Sequence, residues 1–228
     1  MQQSNRDFRG VRLLIFDLDG TLIDSKLDLA LAVNAVRVHM GLPPLPHERI
    51  FGYIGHGAPL LIRRALEEGI SEEEIARGLQ YFLAYYKEHM LDNTLPYPGV
   101  REGLAMLARR DLVVLTNKPE GISRMILEGL GLAHHFRRIY GGNSFERKKP
   151  DPMGVAALLQ EFRLASRQAM MVGDSEIDVQ TARNAGTWVC GVTYGLGSHL
   201  LAEFPPDVLV DSLTDLPAVL DAAAPGAG

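Results

Sequence analysis

Two carboxylates, Asp17 and Asp19, stand two positions apart at the end of the apolar run that closes on Phe16. In a strand, positions i and i+2 share a face, but where the strand ends between them the second side chain swings over the first. Such a pair supplies a nucleophile and a proton donor. The run is continuous rather than alternating, which suits a strand covered on both faces in a parallel sheet. Carboxylates at its C-terminal end would lie at the crevice where open α/β sheets bind ligands. Asp17-Leu18-Asp19-Gly20 also suits an ordinary Asp/Gly turn.

Three further segments carry polar groups at the ends of apolar runs. Leu112 to Leu115 ends in Thr116-Asn117, Lys149-Pro150 follows a Gly-Gly loop, and Met170 to Val172 ends in Gly173-Asp174-Ser175-Glu176-Ile177-Asp178. Together with Asp17-x-Asp19-Gly20-Thr21, these segments resemble, in order, the four motifs of the haloacid dehalogenase superfamily of phosphohydrolases. Within it, Thr116-Asn117-Lys118-Pro119, Pro96-Tyr97-Pro98-Gly99-Val100 and Gly191-Val192-Thr193-Tyr194-Gly195 are similar to the phosphoglycolate phosphatase branch. The resemblance implies a Mg²⁺ ion held by one Asp17 oxygen, the Asp19 backbone carbonyl and Asp174, with Asp178 orienting waters or Asp174. It further implies that Thr116, through its hydroxyl, and Asn117, through its backbone N–H, bind the phosphoryl oxygens, with Lys118 among the substrate contacts. Thr21 and Ser175 hold the loops. Asp178 reads equally as a first-turn helix charge, and Lys148 competes with Lys149, the Lys-Pro spacing favouring Lys149.

Electrostatics demand cations at such a site. A carboxylate repels a phosphate dianion by about 1 kcal/mol per unit-charge pair at 4 Å in water and ~4 kcal/mol at an effective dielectric of 20. Mg²⁺ suits hard carboxylate oxygens and takes one or two of them plus the substrate phosphate. Lys149 adds a second positive charge on the phosphoryl oxygens. The remaining negative excess favours a protonated Asp19, the state a general acid requires. Asp17 then attacks phosphorus and forms an aspartyl-phosphate. Asp19 protonates the departing alkoxide and later deprotonates the hydrolytic water.

The elements that must position these groups follow from periodicity. From Asp24 to about Met90 the pattern is helical, with Leu27, Ala30, Leu31, Asn34, Ala35 and Val38 at three- and four-residue steps, then Pro59 to Leu66, then Ser71 to Met90. Ser71 and Glu74 form a capping box. The chain returns through Leu95-Pro96-Tyr97-Pro98-Gly99, a linker stiffened by its prolines. Beyond it, helices and strands alternate up to Val192, with Gly131 and Gly186 as helix stops, which implies a parallel sheet with helices on both faces. The expected architecture is α/β: a Rossmann-like doubly wound parallel sheet formed by residues 1–23 and 96–228, with a small all-helical cap of residues 24–95 inserted after the first strand. The cap should choose the substrate. Its glycine-rich break Gly52 to Pro59 opens a helix whose N-terminal N–H groups suit a small carboxylate. Gly55, His56 and Gly57 are the candidate contacts there, although the glycines also serve a plain turn with a solvated His56. Arg63 and Arg64 fall on adjacent helix faces, so at most one easily faces the site.

Composition narrows the classes. At 228 residues the chain buries roughly 70 to 75% of its unfolded surface. A net charge of −5 argues against general affinity for nucleic acid or anionic membrane. No apolar run reaches the ~18 residues of a membrane span, Met1 to Gly10 lacks a secretory pattern, and the tail Ala222 to Gly228 is too small-residued to order. The single Cys190 falls in an apolar stretch and suits a buried thiol; zinc is not indicated. A cytoplasmic enzyme, monomeric or homodimeric, acting on a small phosphorylated metabolite is expected, with 2-phosphoglycolate as the substrate of the resembled branch. Alternatives that keep the motifs are a pyrophosphatase, a sugar-phosphate phosphatase or a β-phosphoglucomutase-like phosphotransferase. A dehalogenase has no use for Asp19 with Asp174, and a non-catalytic binding module would be expected to lose Asp17, Asp19 or Lys149. Arg109-Arg110-Asp111 and Asn143 depart from the family's usual residues.

Overall fold

The computed structural model describes residues 7–67 and 69–222; the expectation for the C-terminal tail therefore lies almost wholly outside the described residues. Strand β1 (Leu13–Phe16) has all four side chains buried, as a continuous apolar run requires. After it come β2 (Ile23–Asp24), α1 (Lys26–His39), α2 (His47–Phe51), α3 (Ala58–Leu66), α4 (Glu72–His89) and β3 (Leu95–Pro96). The chain then alternates through α5 (Val100–Met106), β4 (Asp111–Leu115), α6 (Glu120–Gly129), β5 (Arg138–Tyr140), α7 (Met153–Phe162) and β6 (Ala169–Gly173). It closes with α8 (Glu176–Ala185), β7 (Trp188–Val192), β8 (Val208–Val210) and α9 (Leu216–Asp221).

Six strands form one sheet in the order β5-β4-β1-β6-β7-β8, every pairing parallel. The chain runs from β1 outward through β4 and β5, then returns to the other side of β1 with β6. That reversal opens the crevice at the C-terminal ends of β1, β4 and β6. Alternate residues feed two cores: Leu14 and Phe16 join Val100, Leu104, Ile126 and Leu216 on one face. Leu13 and Ile15 join Val155, Leu158, Val179 and Ala182 on the other. Helices α5, α6 and α9 cover the first face, α7 and α8 the second. This is the doubly wound α/β sheet expected from the alternation.

Helices α1 to α4 lie between β2 and β3, which pair antiparallel with Ile23 opposite Pro96 and Asp24 opposite Leu95. The proline-rich return expected as a linker is thus partly a strand, because Pro96 at the edge of a two-stranded ribbon needs no ladder donor. Ser71 Oγ accepts from the Glu74 N–H while the Glu74 carboxylate accepts from the Ser71 N–H, so α4 begins at the expected box. Asp28 of α1, buried, accepts from the Asn93 N–H at 3.0 Å and the Thr94 N–H at 2.8 Å, and so ties both ends of the insertion together. Gly186 ends α8 at φ 71°, and Cys190 is a buried free thiol. Short α2, β8 and α9 were not legible in periodicity. None of the described helices is long and apolar enough to cross a membrane.

Candidate active site

The loops that leave β1, β4 and β6, together with Lys149, converge at one point. Asp17 follows β1 directly, its N–H still donating to the Val172 carbonyl at 2.9 Å, so its side chain leaves the sheet at a fixed angle. Lys149 Nζ lies 2.9 Å from Asp17 and 2.7 Å from Asp178, and all three side chains are nearly inaccessible. Burial pulls the Lys149 ammonium down, but the two carboxylates outweigh it and hold its pKa above the ordinary lysine value. Lys148 points elsewhere, its ammonium donating to the His56 carbonyl at 2.6 Å. Of the two neighbouring lysines, Lys149 is therefore the one whose ammonium faces Asp17 and Asp178.

Asp174 leaves the end of β6 and is held twice, by the Thr21 hydroxyl at 2.9 Å and the Gly197 N–H at 2.8 Å. Gly20 makes this possible: at φ 86° it turns the chain, and a Cβ there would stand 2.3 Å from Asp174 Oδ2. Asp178 accepts from the Ser175 hydroxyl at 2.7 Å and from its N–H at 3.2 Å, closing the first turn of α8. Burial raises Asp174 to about 8, with Asp178 and Asp17 adding to the rise. Burial likewise raises Asp17 to about 6 against the pull of Lys149.

Oxygens of Asp17, Asp174 and Asp178 lie within 4.8 Å of one another. Three hard oxygen donors this close, with Asp17 and Asp174 both raised by burial, fit a divalent cation, which would neutralise them. The carboxylates gathered here include Asp178 rather than the side chain of Asp19, whose expected contribution was a backbone carbonyl. Side chains of the other positions divide as follows. The Asp19 carboxylate accepts from the Ser25 hydroxyl at 2.5 Å and from Lys118 Nζ at 2.8 and 3.1 Å. Lys118 lies over the Tyr86 ring, 4.7 Å from its centroid. This ammonium offsets one of the site's negative charges, so the negative excess left after Mg²⁺ and Lys149 is smaller than expected.

Thr116 follows β4 and is buried, its hydroxyl accepting from the Lys118 N–H at 3.3 Å. The Asn117 amide donates to the Gly55 carbonyl and to the Lys149 carbonyl, both at 3.0 Å. The carbonyls of Gly55 and His56 are thus fastened to side chains of the sheet loops. Gly57, at φ 87°, caps α3 where a Cβ would stand 3.0 Å from the Asn117 carbonyl oxygen. Burial lowers the His56 imidazole, whose Nδ1 has no hydrogen-bond partner among the described residues. Arg63 pairs with Glu72, and Arg63 and Arg64 both line a separate groove with Arg49 and Glu67; neither lines the chamber at Asp17. That chamber is walled by Leu29, Ile54, Leu61, Phe82, Leu83 and Ile122, with Lys118 and Tyr86. The Asn143 side chain accepts from the Glu120 N–H at 2.8 Å and so satisfies one of the free N-terminal donors of α6. Ser25 and Tyr86 escaped the sequence reading, since Tyr86 sits four residues after Phe82 and looks like core.

Comparison with known proteins decides the family. Residues 14–192 match the model of the haloacid dehalogenase-like hydrolase family. The chain belongs to this family of haloacid dehalogenase-like hydrolases. It is 39% identical over 216 residues to a phosphoglycolate phosphatase of Chromobacterium violaceum, spanning 92% of this chain and 96% of the relative. To a phosphoglycolate phosphatase of Vibrio cholerae it is 36% identical over 219 residues, 91% of this chain and 96% of the relative. In structure it is similar to a "predicted phosphoglycolate phosphatase" from Haemophilus somnus, with a TM-score of 0.88 and 34% identity, covering 92% and 98% of the two chains. The haloacid dehalogenase-like frame explains why the four polar loops meet: each leaves the same end of one parallel sheet.

Proposed function

We propose that this hydrolase cleaves 2-phosphoglycolate to glycolate and phosphate through an aspartyl-phosphate on Asp17. The observation that carries the reading is Lys149 held between Asp17 and Asp178 beside Asp174, on a chain whose relatives are named phosphoglycolate phosphatases. Asp17, Asp174 and the Asp19 carbonyl would hold Mg²⁺, with Asp178 close by. Bound there, the ion supplies positive charge for an incoming dianion.

An Asp17 oxygen attacks phosphorus and the bond to the ester oxygen breaks. Asp19, two residues on in the same loop, gives that oxygen its proton. Asp19 then takes a proton from the water that attacks the phosphorus of the aspartyl-phosphate, and phosphate leaves with Asp17 restored. Thr116 and the Asn117 N–H bind the phosphoryl oxygens, and Lys149 balances their charge. Thr21 and Ser175 act at one remove, through Asp174 and Asp178. The same reading divides the chain into a core of residues 1–23 and 96–228 and a helical cap of residues 24–95, whose apolar wall excludes water.

The test is phosphate release from a panel of small esters with and without Mg²⁺. 2-Phosphoglycolate should give the highest kcat/KM, and chelation should abolish turnover. Faster turnover of pyrophosphate or a hexose phosphate would reject the substrate, and metal-independent turnover would reject the Mg²⁺ assignment.

A further inference from the structure

Two openings reach Asp17 and Asp19, and they differ in charge. One passes the carboxylates of Glu48, Asp174 and Glu176, with the imidazoles of His56 and His199 beside them. The other is the apolar chamber with Lys118 and Tyr86 in its wall. A leaving group that carries its own anion is repelled along the first and attracted along the second.

Lys118 and Tyr86 in that wall have donor capacity left. An ammonium has three N–H donors, and the side-chain bonds of Lys118 go to the two oxygens of one carboxylate, Asp19. The Tyr86 hydroxyl is buried, the residue only 1% exposed, and no described group meets hydrogen-bond geometry with it, although the Lys118 ammonium lies close enough to act on it and leaves its O–H proton unused. An unbonded buried hydroxyl costs free energy unless a ligand satisfies it. Beneath the ammonium, the Tyr86 ring keeps Lys118 at the chamber wall by cation–π attraction.

We infer that Lys118 and Tyr86 together bind a second anionic group of the substrate, a carboxylate a few atoms from the transferred phosphate, so that Tyr86 of α4 is a specificity-determining residue. This rests on the phosphoglycolate reading above. One carboxylate oxygen takes the remaining Lys118 N–H and the other takes the Tyr86 O–H, while Lys118 keeps its contact with Asp19. Neutral esters leave both donors unmatched.

The experiment compares kcat/KM for 2-phosphoglycolate and ethyl phosphate in the Mg²⁺-loaded enzyme. Tyr86→Phe retains the ring and removes only the hydroxyl; its loss on 2-phosphoglycolate should exceed its loss on ethyl phosphate about tenfold. Lys118→Met should widen that gap to on the order of a hundredfold. The melting temperature of Tyr86→Phe should hold or rise, since a buried unbonded oxygen is deleted. Wild-type turnover of 2-phosphoglycolate with equal losses on both esters in Tyr86→Phe overturns this assignment and leaves the proposed function standing. A wild-type enzyme that does not prefer 2-phosphoglycolate overturns both.

Discussion

At the scale of single residues, Asp17 and Asp19 differ in their neighbours more than in their chemistry. Asp17 faces Lys149, Asp19 faces Lys118 and Ser25. Asp17→Asn keeps size and polarity but removes the attacking charge, so phosphate release should fall at least about a thousandfold while the circular dichroism spectrum is retained. Normal turnover would eliminate the covalent route. Asp19→Asn should slow 2-phosphoglycolate by roughly 10² to 10⁴, the usual worth of a general acid, yet slow p-nitrophenyl phosphate far less, because p-nitrophenolate leaves without a proton. Equal losses on the two esters would assign Asp19 to the metal site alone.

At the scale of elements, the glycine loop between α2 and α3 is one place where the helical insertion touches the sheet loops. Asn117 and Lys148 each hold one of its carbonyls, and Gly57 fits so closely that a Cβ would stand 3.0 Å from the Asn117 carbonyl oxygen. Gly57→Val adds both a strained φ and a 3.0 Å contact, so it must push the loop off Asn117. Steady-state assays should show kcat/KM on 2-phosphoglycolate falling about ten- to a hundredfold, with a smaller fall on p-nitrophenyl phosphate, because positioning is lost while the carboxylate cluster is untouched. A variant that lost both activities equally would mean that the loop orders the phosphoryl site itself.

At the scale of the whole molecule, the buried carboxylate cluster couples stability to pH and metal. Burial raises Asp174 to about 8 and Asp17 to about 6, both above the ordinary 3.8. Between those limits the folded chain holds more protons than the unfolded chain, so stability is present at low pH and is lost as pH rises through the folded values. In EDTA the melting temperature should drop by several degrees from about pH 5 to about pH 8 on account of these groups. Mg²⁺ needs deprotonated ligands and stabilises the fold by binding it, so its stabilisation should grow over the same window. Calorimetry at the two ends of the range, with and without Mg²⁺, measures this; a Mg²⁺ effect that shrinks with rising pH would contradict it.

The sequence alone determined the alternation of helix and strand, the continuous apolar strands β1, β4 and β6, and the polar residues at their C-terminal ends, because hydrophobic period and turn chemistry are local properties. The family motifs were legible for the same reason, each being a short string of residues on one strand–loop junction. Short elements such as α2, β8 and α9 were not, since three to six residues carry too little period to distinguish them from loop. Pairings between distant positions were decided by tertiary structure. Nothing in the order of residues separates Lys148 from Lys149 by environment, sets Lys118 on Asp19, or brings Tyr86 of α4 beneath that ammonium. Those contacts exist because the parallel sheet gathers four loops at one edge and the helical insertion folds over them, and electrostatics at a few ångströms then depends on which charges the packing brings together.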